Sequence, residues 1–352
     1  MWRKIKSSFI LKKIFYSIDI KKKLNTIAYN KKIQKKFGLN LIDYKRVSGK
    51  YMKEEYGITK IYNSYTDDII FKGNYANRKM NGGGVEYDEN SKLIFAGEYL
   101  NGKRWNGQFK EYDDITGKLI LECEYLNGII EGKAKEYDKY NGELIYDGHY
   151  LNGKRNGKGI EYKTIMYEKS NSYSTFSARN DKKQIKIFEG EYLNGERKEG
   201  KEYNYEEKLI YEGGYLNGKR NGKVKIYNNN KELEYEGDYV NGKKHGKGIE
   251  IDRFNRVIYS GEFIKGKKYG KGKVYSCDIN SNNEKELLFE GEYINNYRIR
   301  GKEYYENGKL KYEGDYLYKE RWNGNIYDYN GNILFEINNG NGKFVEDKDN
   351  II

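Results

Sequence analysis

From Val47 to the end of the chain, apolar and polar positions alternate in short runs separated by polar turns. The run Tyr211-Glu212-Gly213-Gly214-Tyr215-Leu216-Asn217-Gly218-Lys219-Arg220-Asn221-Gly222 is the clearest example. Residues two apart on a strand point to one face, so Tyr211, Gly213 and Tyr215 share a face and the glycine opens a gap between two rings. A ring from the adjoining strand is expected to lie over that gap, covering backbone that glycine leaves bare. Asn217-Gly218 supplies the positive-φ pair of a tight hairpin turn. Runs such as Lys158-Gly159-Ile160-Glu161-Tyr162 and Lys247-Gly248-Ile249-Glu250-Ile251 then read as second strands, and polar links such as Asp113-Asp114-Ile115-Thr116-Gly117 lead to the next hairpin.

The unit recurs with its central glycine at Gly49, Gly73, Gly97, Gly148, Gly190, Gly213, Gly237, Gly261, Gly291 and Gly314, and Cys123 replaces one. Most steps are 23 to 26 residues, with longer ones of 42 and 30. Eleven copies and a worn twelfth around Phe335-Glu336-Ile337 fill residues 47–345, followed by a tail at 346–352. A short fixed period means units that lean on their neighbours. The expected fold is mainly β: an elongated, single, twisted antiparallel meander of stacked hairpins, about 100 Å long at about 4.8 Å per strand. The step of 42 contains a serine-rich insertion at about 163–186, read as a surface loop, with a phosphorylatable switch loop as the sharper alternative. A smaller polar insertion lies near 277–286.

Composition changes the picture little. A charged share of 34%, a hydrophobic share of 37% and a mean hydropathy of −1.03 alone resemble disorder, but 16% of residues are aromatic, the large buriable groups a thin sheet needs.

The residues quoted above resemble the MORN repeat family, whose units run Tyr-x-Gly-x-Tyr, a Gly-rich turn, then Gly-x-Gly and a closing aromatic. Departures are Cys123 for a central glycine, Asn295-Asn296 and Tyr318-Lys319 for Asn-Gly, and second strands such as Gly222-Lys223-Val224 that lack a glycine. The resemblance implies a scaffold at membrane junctions or cytoskeletal structures, end-to-end pairing into a homodimer, phospholipid binding, or an accessory role beside a separate enzyme.

Residues 1–46 carry no repeat but hold fourteen Lys and Arg against two acids, so nearly all of the net charge of +13 sits there. Ile10, Leu11, Ile14, Phe15 and Ile18, then Leu24, Ile27, Ala28, Ile33 and Phe37, recur at helical spacing and predict two short amphipathic helices. Three readings of this basic head stay open. It is a cap on the first edge of the sheet; or a peripheral anchor, with Lys12, Lys13, Lys21, Lys22 and Lys23 on an anionic leaflet; or a docking helix. For the last, Phe9 to Asp19 is similar to the opening helix of an F-box, which implies a substrate adaptor in ubiquitin ligation.

Chemistry is sparse. His149 and His245 sit at drifting repeat positions, and Cys123 and Cys277 are too few and too distant for a zinc or disulfide framework, which fits reduced thiols in the cytoplasm. The Gly-x-Gly elements lie between strands, whereas a phosphate loop runs from a strand into a helix. No catalytic, cofactor or metal site is expected, and the recurrent rings are needed for packing rather than for nucleic acid. First-strand acids recur at Glu98, Glu191, Glu212, Glu236, Glu290 and Glu313. Bases recur at the hairpin turn as Lys103-Arg104, Lys154-Arg155, Lys219-Arg220, Lys243-Lys244 and Lys267-Lys268. Hairpins stacked in register would line these bases up along one edge, suited to a protein partner or to anionic phospholipid. The expected function is a non-enzymatic scaffold, cytoplasmic and peripheral to a membrane or the cytoskeleton.

Overall fold

A computed structural model of the chain describes residues 49–168, 180–276 and 286–344, together with Lys35 and Lys45. The helices expected in the head, Cys277 and the tail lie outside the described residues. Contacts divide the chain into two compact units, Met1–Gly142 with Tyr150–Gly153, and Glu143–His149 with Lys154–Ile352.

The first unit contains β1 (Lys50–Glu55), β2 (Ile58–Asn63), β3 (Ile69–Ala76), β4 (Lys79–Tyr87), β5 (Leu93–Leu100), β6 (Lys103–Tyr112), β7 (Leu119–Leu126) and β8 (Ile129–Tyr137). Strand β9 (Leu144–Leu151) gives residues to both units. The second unit continues with β10 (Lys154–Glu168), β11 (Asn180–Leu193), β12 (Glu196–Tyr203), β13 (Leu209–Leu216), β14 (Lys219–Tyr227), β15 (Leu233–Val240), β16 (Lys243–Ile251) and β17 (Val257–Ile264). It ends with β18 (Lys267–Tyr275), β19 (Leu287–Ile294), β20 (Tyr297–Tyr304), β21 (Leu310–Leu317), β22 (Glu320–Tyr327), β23 (Ile333–Asn338) and β24 (Asn341–Phe344). Within each unit the strands pair antiparallel with their neighbours in the chain, as in β4 with β5 and β13 with β14.

The hairpin turns form as expected. Asn217 has φ 50° and Gly218 φ 71°, the left-handed pair of a tight turn whose twist matches the strands. At the opposite edge an Asp or Asn side chain closes the link: Asp113 Oδ1 accepts from the Thr116 N–H at 2.7 Å, and Asp88 Oδ1 from Lys92 N–H at 2.8 Å. Most pairings carry one register shift, such as that between Glu191 and Tyr192, and such bulges strengthen the right-handed twist.

The insertion differs from the expected loop. Its ends extend β10 and β11 as paired strands, from Lys163 opposite Ile185 to Glu168 opposite Asn180. Ile185 is buried, an anchor that the serine-rich composition concealed.

The core of each unit is a zigzag of edge-on rings. In the first unit it runs Phe71, Tyr99, Phe95, Tyr125, Phe109, with centroids 5.1 to 5.7 Å apart. In the second, Tyr146–Tyr192–Phe188–Tyr215–Tyr211 and Tyr235–Phe263–Tyr259–Tyr293–Phe289–Tyr316–Tyr312 repeat the motif at 5.3 to 5.8 Å. The first rings Phe95, Phe188, Tyr235, Tyr259 and Phe289 each touch the second ring of their own strand and of the next hairpin, so burial is shared between repeats. Each such pair adds about 0.5–1.5 kcal/mol beyond area burial.

The covering ring is not the one expected. It comes from the glycine's own strand, two residues earlier, and it spans two strands. A Cβ on Gly190 would come within 2.7 Å of the Phe188 ring, and one on Gly200, opposite it on β12, within 2.5 Å of the same ring. In β7 the pattern is relaxed. Leu121 stands where other hairpins have the ring, and Cys123 and Ala134, paired across β7 and β8, are buried in the space a ring would fill.

Candidate binding surfaces

Adjacent strand residues face opposite sides of a sheet, and this splits the turn bases into two sets. Arg104, Arg155, Arg220, Lys244 and Lys268 turn onto the ring face. Arg155 lies 4.2 Å from the centre of the Tyr146 ring, Arg220 4.3 Å from Tyr211, Lys244 4.5 Å from Tyr235 and Lys268 4.0 Å from Tyr259. Arg104 lies 4.8 Å from Phe109. All five hold a carboxylate. Arg104 is 2.9 Å from Glu86 and Arg155 3.3 Å from Glu161, Arg220 pairs with Glu202, and Lys244 and Lys268 share Glu250 at 2.6 and 3.1 Å. These five cations belong to the packing, and the expectation that they form a free edge is corrected. The outer five, Lys103, Lys154, Lys219, Lys243 and Lys267, are exposed and make no ion pair among the described residues. In the second unit the outer position also holds Glu196, Tyr297 and Glu320, so the uninterrupted basic run there is Lys219, Lys243, Lys267.

The partners of the inner cations are second-strand acids that the sequence reading passed over. Glu86, Glu161, Glu202, Glu250 and Glu303 each lie two residues after the second-strand glycine, a fixed spacing that was the available signal. Each but Glu250 also accepts a ring-face tyrosine: Tyr192 to Glu161 at 2.6 Å, Tyr215 to Glu202 at 2.6 Å, Tyr316 to Glu303 at 2.8 Å and Tyr99 to Glu86 at 3.0 Å. Burial pushes the Glu161, Glu202, Glu250 and Glu303 carboxyls up, but the Arg, Lys and Tyr donors outweigh it and hold all four below the usual carboxylate range.

On the face away from the rings, β11 to β21 carry a trough. Its floor is a row of glycines in cross-strand register, including Gly190, Gly200, Gly213, Gly237, Gly248, Gly261, Gly272 and Gly291, broken by Val224, whose side chain packs with the rings on the other face. Three contiguous cavities of about 500, 860 and 530 Å³ make up its length. One wall alternates in charge across the register: Glu189, Lys201, Glu212, Lys225, Glu236, then Ile249 and Ser260, then Lys273, Glu290, Lys302, Glu313. Ion pairs Lys201–Glu212 at 3.4 Å, Lys273–Glu290 at 3.0 Å and Lys302–Glu313 at 3.2 Å stiffen it. Four of the first-strand acids thus belong to this wall. Glu98 and Glu191 lie one residue beyond the glycine instead, Glu98 accepting from Asn106 at 3.0 Å and Glu191 pairing with Lys198 at 3.2 Å. In the opposite wall Lys247 and Lys271 are exposed and make no ion pair among the described residues.

His149 Nδ1 lies 3.4 Å from the Lys158 carbonyl, a strand contact. Burial, with the Glu111 and Glu124 charges, pushes the Cys123 thiol up to about 12. Among the described residues no group of three or more His, Cys, Asp or Glu could hold a metal, and no helix is long and apolar enough to cross a membrane.

Four stretches of the chain match the MORN repeat. They are residues 146–164, 211–223, 235–253 and 259–278, which begin at the first rings Tyr146, Tyr211, Tyr235 and Tyr259. No curated protein matches the chain. These MORN repeats are consistent with a binding or scaffold role.

Proposed function

We propose that the protein is a non-enzymatic scaffold that holds an extended segment of a partner protein along the trough of the second unit and rests on anionic phospholipid through the outer lysines of its turn edge. The observation that carries this reading is the trough itself: a floor without side chains, walls of alternating charge, and an uncharged break at Ile249 and Ser260 beside its largest cavity. The strands around it have their backbone groups paired, so a guest is recognised by side chains, with charges meeting the Lys and Glu ladder and an apolar group meeting Ile249. Alternating walls select a mixed-charge segment over a uniformly acidic or basic one, because like charges facing each other are penalised.

Affinity recovery from the native cell with full-length protein tests the trough. Lys247→Glu with Lys271→Glu alters a wall without breaking an ion pair, and the recovered partner is expected to fall about fivefold, the effect of about 1 kcal/mol. Undiminished recovery would overturn the trough reading. For the turn edge, Lys219→Glu with Lys243→Glu is expected to weaken co-sedimentation with phosphatidylserine vesicles, each lysine contributing about 1 kcal/mol near such a surface. Equal binding by both proteins would remove the lipid half.

A further inference from the structure

The second-strand carboxylate is missing from β18, where Val274 takes its place two residues after Gly272. Phe109 in β6, Ile226 in β14 and Ile326 in β22 also lack it, whereas in β10, β12, β16 and β20 the carboxylate bridges the inner cation of its own hairpin and that of the next: Glu161 meets Arg155 at 3.3 Å and Arg197 at 2.5 Å, and Glu250 meets Lys244 and Lys268. At Val274 the corresponding cations are Lys268 and Arg298, and each has lost one of its two acids. Lys268 keeps Glu250, which it shares with Lys244, and Arg298 keeps Glu303, which it shares with Arg321.

A cavity of about 760 Å³ opens at this place, lined by Lys267, Lys268, Val274, Tyr293, Arg298 and Lys319 and by the turn residues around them, with no carboxylate in the lining. Its outer walls are built from two of the departures from Asn-Gly. Asn296, at φ 73°, accepts the Lys268 N–H through Oδ1 at 2.7 Å and donates its own N–H to the Lys268 carbonyl at 3.0 Å, which fixes this turn against the preceding hairpin. Tyr318-Lys319 brings an exposed ring and a lysine to the third turn. Lys267 and Lys319 make no ion pair among the described residues, and the neighbouring Glu320 is exposed and outside the lining.

We infer that this cavity between the turns at 265–266, 295–296 and 318–319 binds a phosphomonoester group, which takes the place of the carboxylate that Val274 lacks and is held by Lys267, Lys268, Arg298 and Lys319. A phosphomonoester carries a charge of about −1.5 to −2 near neutral pH and three strong acceptor oxygens, and guanidinium and ammonium donors match it through charge-assisted hydrogen bonds. The inference deepens the reading of the turn edge as an anion-facing surface and rests on it. The phosphomonoester comes from a free small molecule or from a lipid headgroup.

Calorimetric titration of the full chain with glycerol 3-phosphate tests the free source, with sulfate for comparison. Co-sedimentation with vesicles of phosphatidic acid in phosphatidylcholine tests the lipid source. Val274→Glu restores the missing acid in a setting where Glu250 is already tolerated, and Lys267→Glu with Lys319→Glu removes the outer cations. Each variant is expected to weaken binding about tenfold or more, the loss of one charge-assisted contact of about 1.5–3 kcal/mol. Lys231→Glu with Arg253→Glu, on exposed links at the opposite edge, is expected to leave it unchanged. Loss of glycerol phosphate binding in the cavity variants assigns the free source, and loss confined to vesicles assigns the headgroup. Absence of binding to both probes overturns the inference, and so does equal loss in the Lys231 and Arg253 variant. A phosphatidylserine result that fails for Lys219 and Lys243 while the cavity variants still lose their ligand would sink the lipid edge alone.

Discussion

Position 248 is a glycine because the Tyr235 ring occupies its side-chain space: a Cβ there would come within 2.7 Å of a ring carbon. Gly83, by contrast, has nothing within 4 Å and no positive φ. Gly248→Ala is therefore expected to destabilise the fold by about 1–3 kcal/mol, and Gly83→Ala to leave it nearly unchanged, as read by thermal unfolding of the full chain. The second-strand acids set the response to pH. Because Glu161, Glu202, Glu250 and Glu303 are held below their unfolded values, their stabilisation is fully present above the ordinary carboxylate pKa of about 4.3 and is lost as pH falls through the lower folded values. The thermal midpoint is expected to drop steeply only below about pH 4, and Glu202→Gln to make that drop shallower. Cys123, buried and with its thiol held up to about 12, is expected to resist alkylation at pH 8 in a Cys277→Ser background and to react once urea unfolds the chain.

At the scale of the hairpin, loss of the ring goes with loss of both its glycines, whereas a ring that is kept tolerates one larger neighbour, as Val224 and Ile337 show. Leu121, Cys123 and Ala134 depart together in β7 and β8, since without the ring the glycines would leave a void. Leu121→Tyr is expected to destabilise by about 1–3 kcal/mol through overpacking, and adding Cys123→Gly and Ala134→Gly to recover most of that loss, a coupling that thermal unfolding of the set measures. The hairpins, their turns and the ring-glycine pairing were legible in the sequence because period-two alternation and Asn-Gly leave little freedom. Which strand supplies the covering ring was not legible, since side-chain period fixes a face but not the direction in which Tyr211 or Phe188 leans. The inward turn of Arg220 beside the outward Lys219 could have been read from the same alternation. Reading the two as one basic stripe hid the Glu202 partner. The extension of β10 and β11 was hidden because Lys163 to Lys186 contains few apolar residues, and Ile185 alone is fully buried among those described.

For the molecule as a whole, the ring face of each unit is consumed by packing and ion pairs. What the second unit leaves to partners is the trough on one side and the outer lysines at the turn edge. The two are separable by salt: the lysine edge should release vesicles as the Debye length shrinks from about 30 Å at 0.01 M to about 8 Å at 0.15 M, whereas a guest seated also on Ile249 should be less affected. A photo-cross-linking residue placed at Lys247, in the trough, and separately at Glu206, on an exposed link, probes that guest in the native cell. Discrete protein adducts from position 247 and none of them from position 206 are the predicted result; identical adducts from both, or none from 247, would contradict a trough that holds a protein.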